Sequence, residues 1–168
     1  GGGRASLRHQ AAGLPRMAGL ARPAPHHAGR LPQPDLGVRQ LGLEPWVFAP
    51  PVGLAPFEAG KQAMEALMQA PAPPDAIIFA NDNLAAGGLL AGQRTGLSIP
   101  GDCAVLGFGD YPFAEMLLPS LSTIKPPALQ IGVMAATRVL QSRGVLPVED
   151  EVQRINLLEC LVIERESA

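Results

Sequence analysis

The chain has 168 residues, with 13 Lys and Arg against 15 Asp and Glu, 47% hydrophobic residues and 4% aromatic ones. That length suits one domain of about 100–200 residues, the slight negative charge argues against a nucleic-acid surface spread over the whole chain, and two cysteines are too few for a disulfide-stapled scaffold. Nineteen glycines and eighteen prolines come close to low-complexity composition, and no apolar run is long enough to cross a bilayer.

The glycine and proline are unevenly spread. Residues 1–45 hold six arginines against Asp35 and Glu44, six prolines and eight glycines, and no Phe, Tyr, Trp, Ile or Thr. Such a segment has too few large apolar side chains to offset the entropy of ordering itself. It reads as a disordered or non-native N-terminal segment. Its arginines are spaced singly between prolines, so a DNA or membrane arm is the weaker alternative, and Leu14–Leu20 is interrupted by Pro15 and Arg16, so it is no signal-peptide core. Out-of-frame translation of GC-rich DNA gives text of this kind as well.

From Trp46 the pattern changes, and residues 46–168 read as a partial domain. Trp46–Ala49 is a short β-prone run closed by Pro50 and Pro51. Phe57, Gly60, Ala63, Met64 and Leu67 recur at helical spacing, which predicts a helix over 57–69 stopped by Pro71. Residues 76–80 are continuously apolar, as in a strand buried on both faces. Asn81 or Asp82 can cap a helix over 83–95 that ends at Gly96. Residues 103–108 and 121–124 give two more strands, Leu129 to Leu140 a further helix, and 155–163 one or two final strands. Strands alternating with helices in this way predict an α/β fold around a parallel sheet.

In such sheets ligands bind beyond the carboxyl ends of the strands. This puts Asn81-Asp82-Asn83 and Gly109-Asp110-Tyr111 on one edge. A carboxylate accepts hydroxyl hydrogen bonds, and an amide both donates and accepts, which suits a sugar or polyhydroxy acid. The competing reading is that Asn81 and Asp82 only cap a helix and Asp110 only begins a turn. Enzymatic chemistry finds little support. His9, His26 and His27 all precede residue 46, which removes His-based catalysis and metal ligation from the folded part. Cys103 and Cys160 sit in apolar strand candidates and read as buried small hydrophobes. Gly53 to Gly60-Lys61 has the wrong spacing for a phosphate loop, and Gly107-Phe108-Gly109 meets Pro112 where a dinucleotide loop needs glycine. No catalytic residue, metal site or cofactor is assigned.

Residues 74–125 resemble the effector-binding region of the lactose-repressor-type (LacI/GalR) transcriptional regulators. The stretches that carry the resemblance are Pro74-Asp75-Ala76-Ile77-Ile78-Phe79-Ala80-Asn81-Asp82, Gly96-Leu97-Ser98-Ile99-Pro100-Gly101-Asp102, Ala104-Val105-Leu106-Gly107-Phe108-Gly109-Asp110 and Leu121-Ser122-Thr123-Ile124-Lys125. The Gly-Phe-Gly-Asp form is similar to the gluconate-operon-repressor branch. The resemblance implies the parallel-sheet lobe of a periplasmic-binding-protein-like (type I) fold, incomplete here because 123 residues are too few for two lobes. It implies a cytoplasmic regulator with a small carbohydrate or sugar-acid effector held by Asn81, Asp82 and Asp110. It also implies a homodimer whose interface includes Leu84, Gly88, Leu89, Met116, Leu117 and Leu118, although ordinary packing on the domain's own sheet explains the same small and apolar residues. Two departures bear on the effector. The family's acid follows the aromatic directly, where this chain has Gly109, and Pro126 stands where a polar residue is usual. Operator DNA would be reached only through a helix-turn-helix, and the prolines of residues 1–45 break every candidate for one. The helix corresponding to 127–143 packs in the family on the first lobe, so its apolar face is expected to lack a partner here. The alternatives are a sugar-binding protein of a transport system, which needs an export signal, and a degenerate fragment without function.

Overall fold

A computed structural model of the chain describes residues 17–20, 46–147 and 156–168. Six strands form one sheet: β1 (Met17–Leu20), β2 (Trp46–Phe48), β3 (Ala76–Ile78), β4 (Ala104–Phe108), β5 (Ser122–Lys125) and β6 (Leu161–Ile163), in the spatial order β2-β1-β3-β4-β5-β6. The first five are parallel, and β6 pairs antiparallel with β5, with Lys125 opposite Leu161. Three helices accompany them: α1 (Pro56–Met68), α2 (Asp82–Arg94) and α3 (Ala128–Ser142).

Every strand and helix expected between Trp46 and Leu140 is present, within a few residues at each end. The sheet also takes in Met17–Leu20, from the segment expected to add no packed element. A strand needs only four residues without charge or proline, and Met17-Ala18-Gly19-Leu20 supplies them directly after Pro15-Arg16. The other expectations for residues 1–45, and for the start of the last strand at 155, lie outside the described residues.

The core lies between α1, α2 and one face of the sheet. Ile77, Phe79 and Val105 from the strands meet Ala63, Met64, Leu67 and Leu89 from the helices, all of them buried. Pro56 opens α1 with a backbone angle already suited to a first turn, and Asn81 caps α2, its Oδ1 accepting from Leu84 N at 3.0 Å. The helices touch through their backbones. A Cβ on Gly60 of α1 would overlap the Leu84 carbonyl, and one on Gly87 of α2 would overlap the Phe57 carbonyl. Gly88 leaves room for the Phe79 ring in the same way. The contrast is α3, which has no buried residue and exposes Leu129 at 83% and Val133 at 58%. Among the described residues, the apolar side chains of α3 are thus left at the surface.

These contacts make a test of the packing. Gly60→Ala should lower the urea stability of the chain by about 1–3 kcal/mol, since backbone on both sides cannot yield. Gly132→Ala on α3, where a Cβ meets nothing within 4 Å, should leave it unchanged or slightly raised. Equal losses from the two substitutions would contradict the close crossing.

Candidate functional site

Both expected loops lie at the carboxyl edge of the parallel strands, and one buried side chain joins them. Phe79 N donates to Leu106 O at 2.8 Å, which carries β3 alongside β4 to its end. The chain then turns into α2, placing Asp82 in the first helical turn with 0% exposure. Asp82 Oδ1 accepts from Thr123 Oγ1 at 2.6 Å, and Oδ2 accepts from Tyr111 N at 2.7 Å. Gly107 in β4 gives this carboxylate its space, because a Cβ there would overlap Oδ1. A helix N-terminus favours the negative charge. Asp82 thus connects the end of β3, the loop after β4 and the middle of β5.

Asp110 stands on the other side of that loop. Gly109 before it has φ +132°, and Asp110 itself has φ 52°, in the left-handed region. Its N–H donates to Thr123 Oγ1 at 3.4 Å. Its carboxylate accepts from Lys125 Nζ and Arg165 Nη2, each at 2.8 Å. These two cations, Lys125 first, hold its carboxyl below the ordinary carboxylate value. The Asp110 side chain is 14% exposed, and Lys125 is 52% exposed.

The edge therefore brings Asn81, Asp82 and Asp110 together, with different duties. Asn81 is half-buried, with its Oδ1 engaged in the helix cap. Asp82, expected to face an effector, is instead fully enclosed with both oxygens occupied by protein groups. Asp110 reaches the surface, bound to two cations. Three participants were not among the expected site residues: Thr123, Lys125 and Arg165. Thr123 is a polar residue inside a buried strand, a signal that was available, and Lys125 follows on the same strand. Tyr111, already placed on this edge by the sequence, contributes its backbone N–H. Arg165 lies 55 positions from Asp110, beyond the reach of any local pattern.

The proposed interface residues also divide. Gly88 and Leu89 point into the protomer's own core, Gly88 beneath Phe79, so they are internal packing residues. Leu84 and Leu117 are half-buried against that core. Met116 and Leu118 are 74% and 76% exposed. The outward residues of the helices are Phe57 and Leu90, which line a shallow groove with Glu58, Lys61, Glu65 and Arg94. Phe57 contacts Phe113 at a centroid distance of 6.4 Å, and Phe113 meets Tyr111 edge-on at 5.7 Å. A row of three rings thus joins this groove to the strand-end loop.

Among the described residues no group of three or more His, Cys, Asp or Glu could hold a metal ion. Burial, with Asp75 and Asp102 nearby, pushes the Cys103 thiol up to about 11, so it stays protonated and unreactive. Cys160, expected to be buried, is exposed just ahead of β6. No described helix is long and apolar enough to cross a membrane.

Residues 9–168 match the family described as periplasmic binding protein-like domain. Over 103 residues the chain is 39% identical to a probable HTH-type transcriptional repressor, ExuR, of Bacillus subtilis, covering 61% of this chain and 30% of that one. Over 84 residues it is 45% identical to a lactose operon repressor of Rhizobium radiobacter, covering 50% of this chain and 74% of that one. Among solved structures, a LacI family transcriptional regulator from Arthrobacter in complex with lactose aligns with a TM-score of 0.69 and 25% identity, covering 91% of this chain and 57% of that one. A LacI family regulator from Bifidobacterium animalis aligns with a TM-score of 0.73 at 23% identity, over 91% and 55% of the two chains. The chain thus spans under a third of the Bacillus repressor and somewhat over half of each solved chain.

Two outcomes follow from the site. Asp82→Ala strips partners from a buried hydroxyl and a part-buried N–H, and should cost about 2–4 kcal/mol in chemical denaturation; a loss within the range of surface substitutions would remove Asp82 from the centre of the edge. Because folding lowers the Asp110 pKa, the charged form stabilises the protein above the ordinary carboxylate range. That stabilisation is lost as pH falls through the folded value. The denaturation midpoint should drop on acidification, and the drop should be smaller in Asp110→Asn.

Proposed function

The chain belongs to the periplasmic binding protein-like domain family, as an effector-binding region of the LacI/GalR type, and we propose that it is the sensing lobe of a sugar-responsive transcriptional regulator. The observation that carries this reading is the strand-end edge, where a buried Asp82 ties the turn that carries Asn81 to the loop that carries Asp110. A small carbohydrate or sugar acid meets the free amide hydrogens of Asn81 and the Asp110–Lys125 pair. Lactose in the Arthrobacter regulator supports a sugar as the class to test first. Asp82 acts from beneath and touches no ligand. The role is binding and not catalysis, and the regulator works in the cytoplasm, where its operator lies.

The rest of the regulator enters through two further surfaces. The first lobe covers the open face of α3 and closes the other side of the effector cleft. A second copy covers the groove between α1 and α2. Phe57 and Leu90 there are flanked by both acidic and basic residues, so one patch can meet its own copy across a two-fold axis. Operator binding belongs to a helix-turn-helix, which is not among the described residues. The transport-protein alternative is less favoured, because both curated relatives above are repressors.

Titrating the isotope-labelled chain with lactose and with gluconate should shift the amide resonances of Asn81 and Asp110 before those of the core. Asp110→Ala should weaken that response by roughly tenfold, the worth of one charge-assisted hydrogen bond. Silence at this edge with every sugar and sugar acid tried would end the effector reading. In sedimentation the chain should run as a dimer at micromolar concentration and Leu90→Glu as a folded monomer; a monomeric parent chain would remove the interface.

A further inference from the structure

The end of the chain grips the strand-end loop from outside. After β6 the backbone passes below the start of β5, where Ser167 is fully buried. Its hydroxyl donates to Val105 O at 2.7 Å and accepts from Ser122 N at 2.8 Å. Its carbonyl accepts from Val105 N at 2.7 Å, and its N–H donates to Ser120 O at 3.0 Å. Glu166 accepts from both Ser120 N and Ser120 Oγ. With the backbone seated on both sides, Arg165 has little freedom. Its N–H donates to Ser122 Oγ at 2.8 Å. Its guanidinium then spans two targets, Nη1 on Leu121 O and Nη2 on Asp110 Oδ1, both at 2.8 Å.

Asp110 is the one non-glycine residue with positive φ among the described residues. A left-handed conformation is unfavourable for an L-residue and persists where the surroundings hold it. We propose that Arg165 is a positioning residue for the strand-end site, its planar fork holding Asp110 in the left-handed conformation and so setting where the Asp110 carboxylate and Tyr111 stand. Lys125 has a different part. Its ammonium makes one contact from an exposed position, which supplies charge without fixing orientation. The fork also ties the loop to β5 and β6, the strands by which the chain leaves for α3 and returns. The inference goes beyond the sugar-sensing reading, since it concerns the shape of the loop and holds for any small ligand.

The test is amide hydrogen exchange and carboxyl titration by NMR on the full chain, without ligand. In Arg165→Met, the Asp110 and Tyr111 amides should exchange about tenfold faster while Val105 and Leu89 keep their rates. In Arg165→Lys the faster exchange should remain, because an ammonium cannot reach Leu121 O and Asp110 together, while the Asp110 carboxyl should titrate close to its parent value. Lys125→Met should move that titration upward and leave the exchange alone. Should Arg165→Met fail to fold, Arg165→Lys decides the matter by itself. Unchanged Asp110 and Tyr111 exchange in Arg165→Lys, or equal acceleration in Lys125→Met, would overturn the assignment.

Discussion

Asp82 enters the interior on the first turn of α2 and there accepts one hydrogen bond from the Thr123 hydroxyl and one from the Tyr111 amide. Taking a carboxylate wholly out of water costs several kcal/mol unless its oxygens find donors. Here the two donors come from a strand interior and from the loop beyond β4, while the acceptor sits on a helix N-terminus. None of these elements can move without uncovering the charge. The cost of burial is thereby turned into a fixed geometry for the half-buried groups on either side, Asn81 and Asp110.

That arrangement explains which parts of the molecule the sequence revealed. The runs at 76–80 and 103–108 announced strands, although only one of their faces is fully buried, and the helical spacing of Ala63, Met64 and Leu67 announced the covering helix. The strand-end loops followed from the general habit of parallel sheets. What the sequence left ambiguous was direction. Gly88 and Leu89 had the size and polarity of interface residues, yet Gly88 lies under Phe79 and Leu89 is buried in the core. Asp82 had the chemistry of a ligand contact, yet it faces inward toward Thr123. Met17–Leu20 was hidden by its proline-rich surroundings, because composition averages over tens of residues and a strand needs four. Arg165 shows the remaining limit, since nothing within its own neighbourhood points to Asp110.

The glycines that raised the composition toward low complexity do ordered work in the helical layer. Gly60 and Gly87 bring α1 and α2 into backbone contact, which leaves no space for large side chains between them and sends Phe57 and Leu90 outward. Close packing inside and apolar exposure outside therefore have one cause. The same lobe leaves α3 wholly on its surface. Among the described residues, apolar side chains therefore reach the surface both on α3 and beside the α1–α2 crossing.

The row of rings from Phe57 through Phe113 to Tyr111 has a practical consequence. Tyr111 is the sole tyrosine of the chain, and its backbone N–H rests on Asp82 while its ring meets Phe113 edge-on. An edge-on neighbour displaces ring-proton resonances strongly, and the displacement falls away with small changes of distance or tilt. The phenol is thus a built-in spectroscopic gauge at the strand ends, readable in unlabelled protein and free of overlap from any other tyrosine.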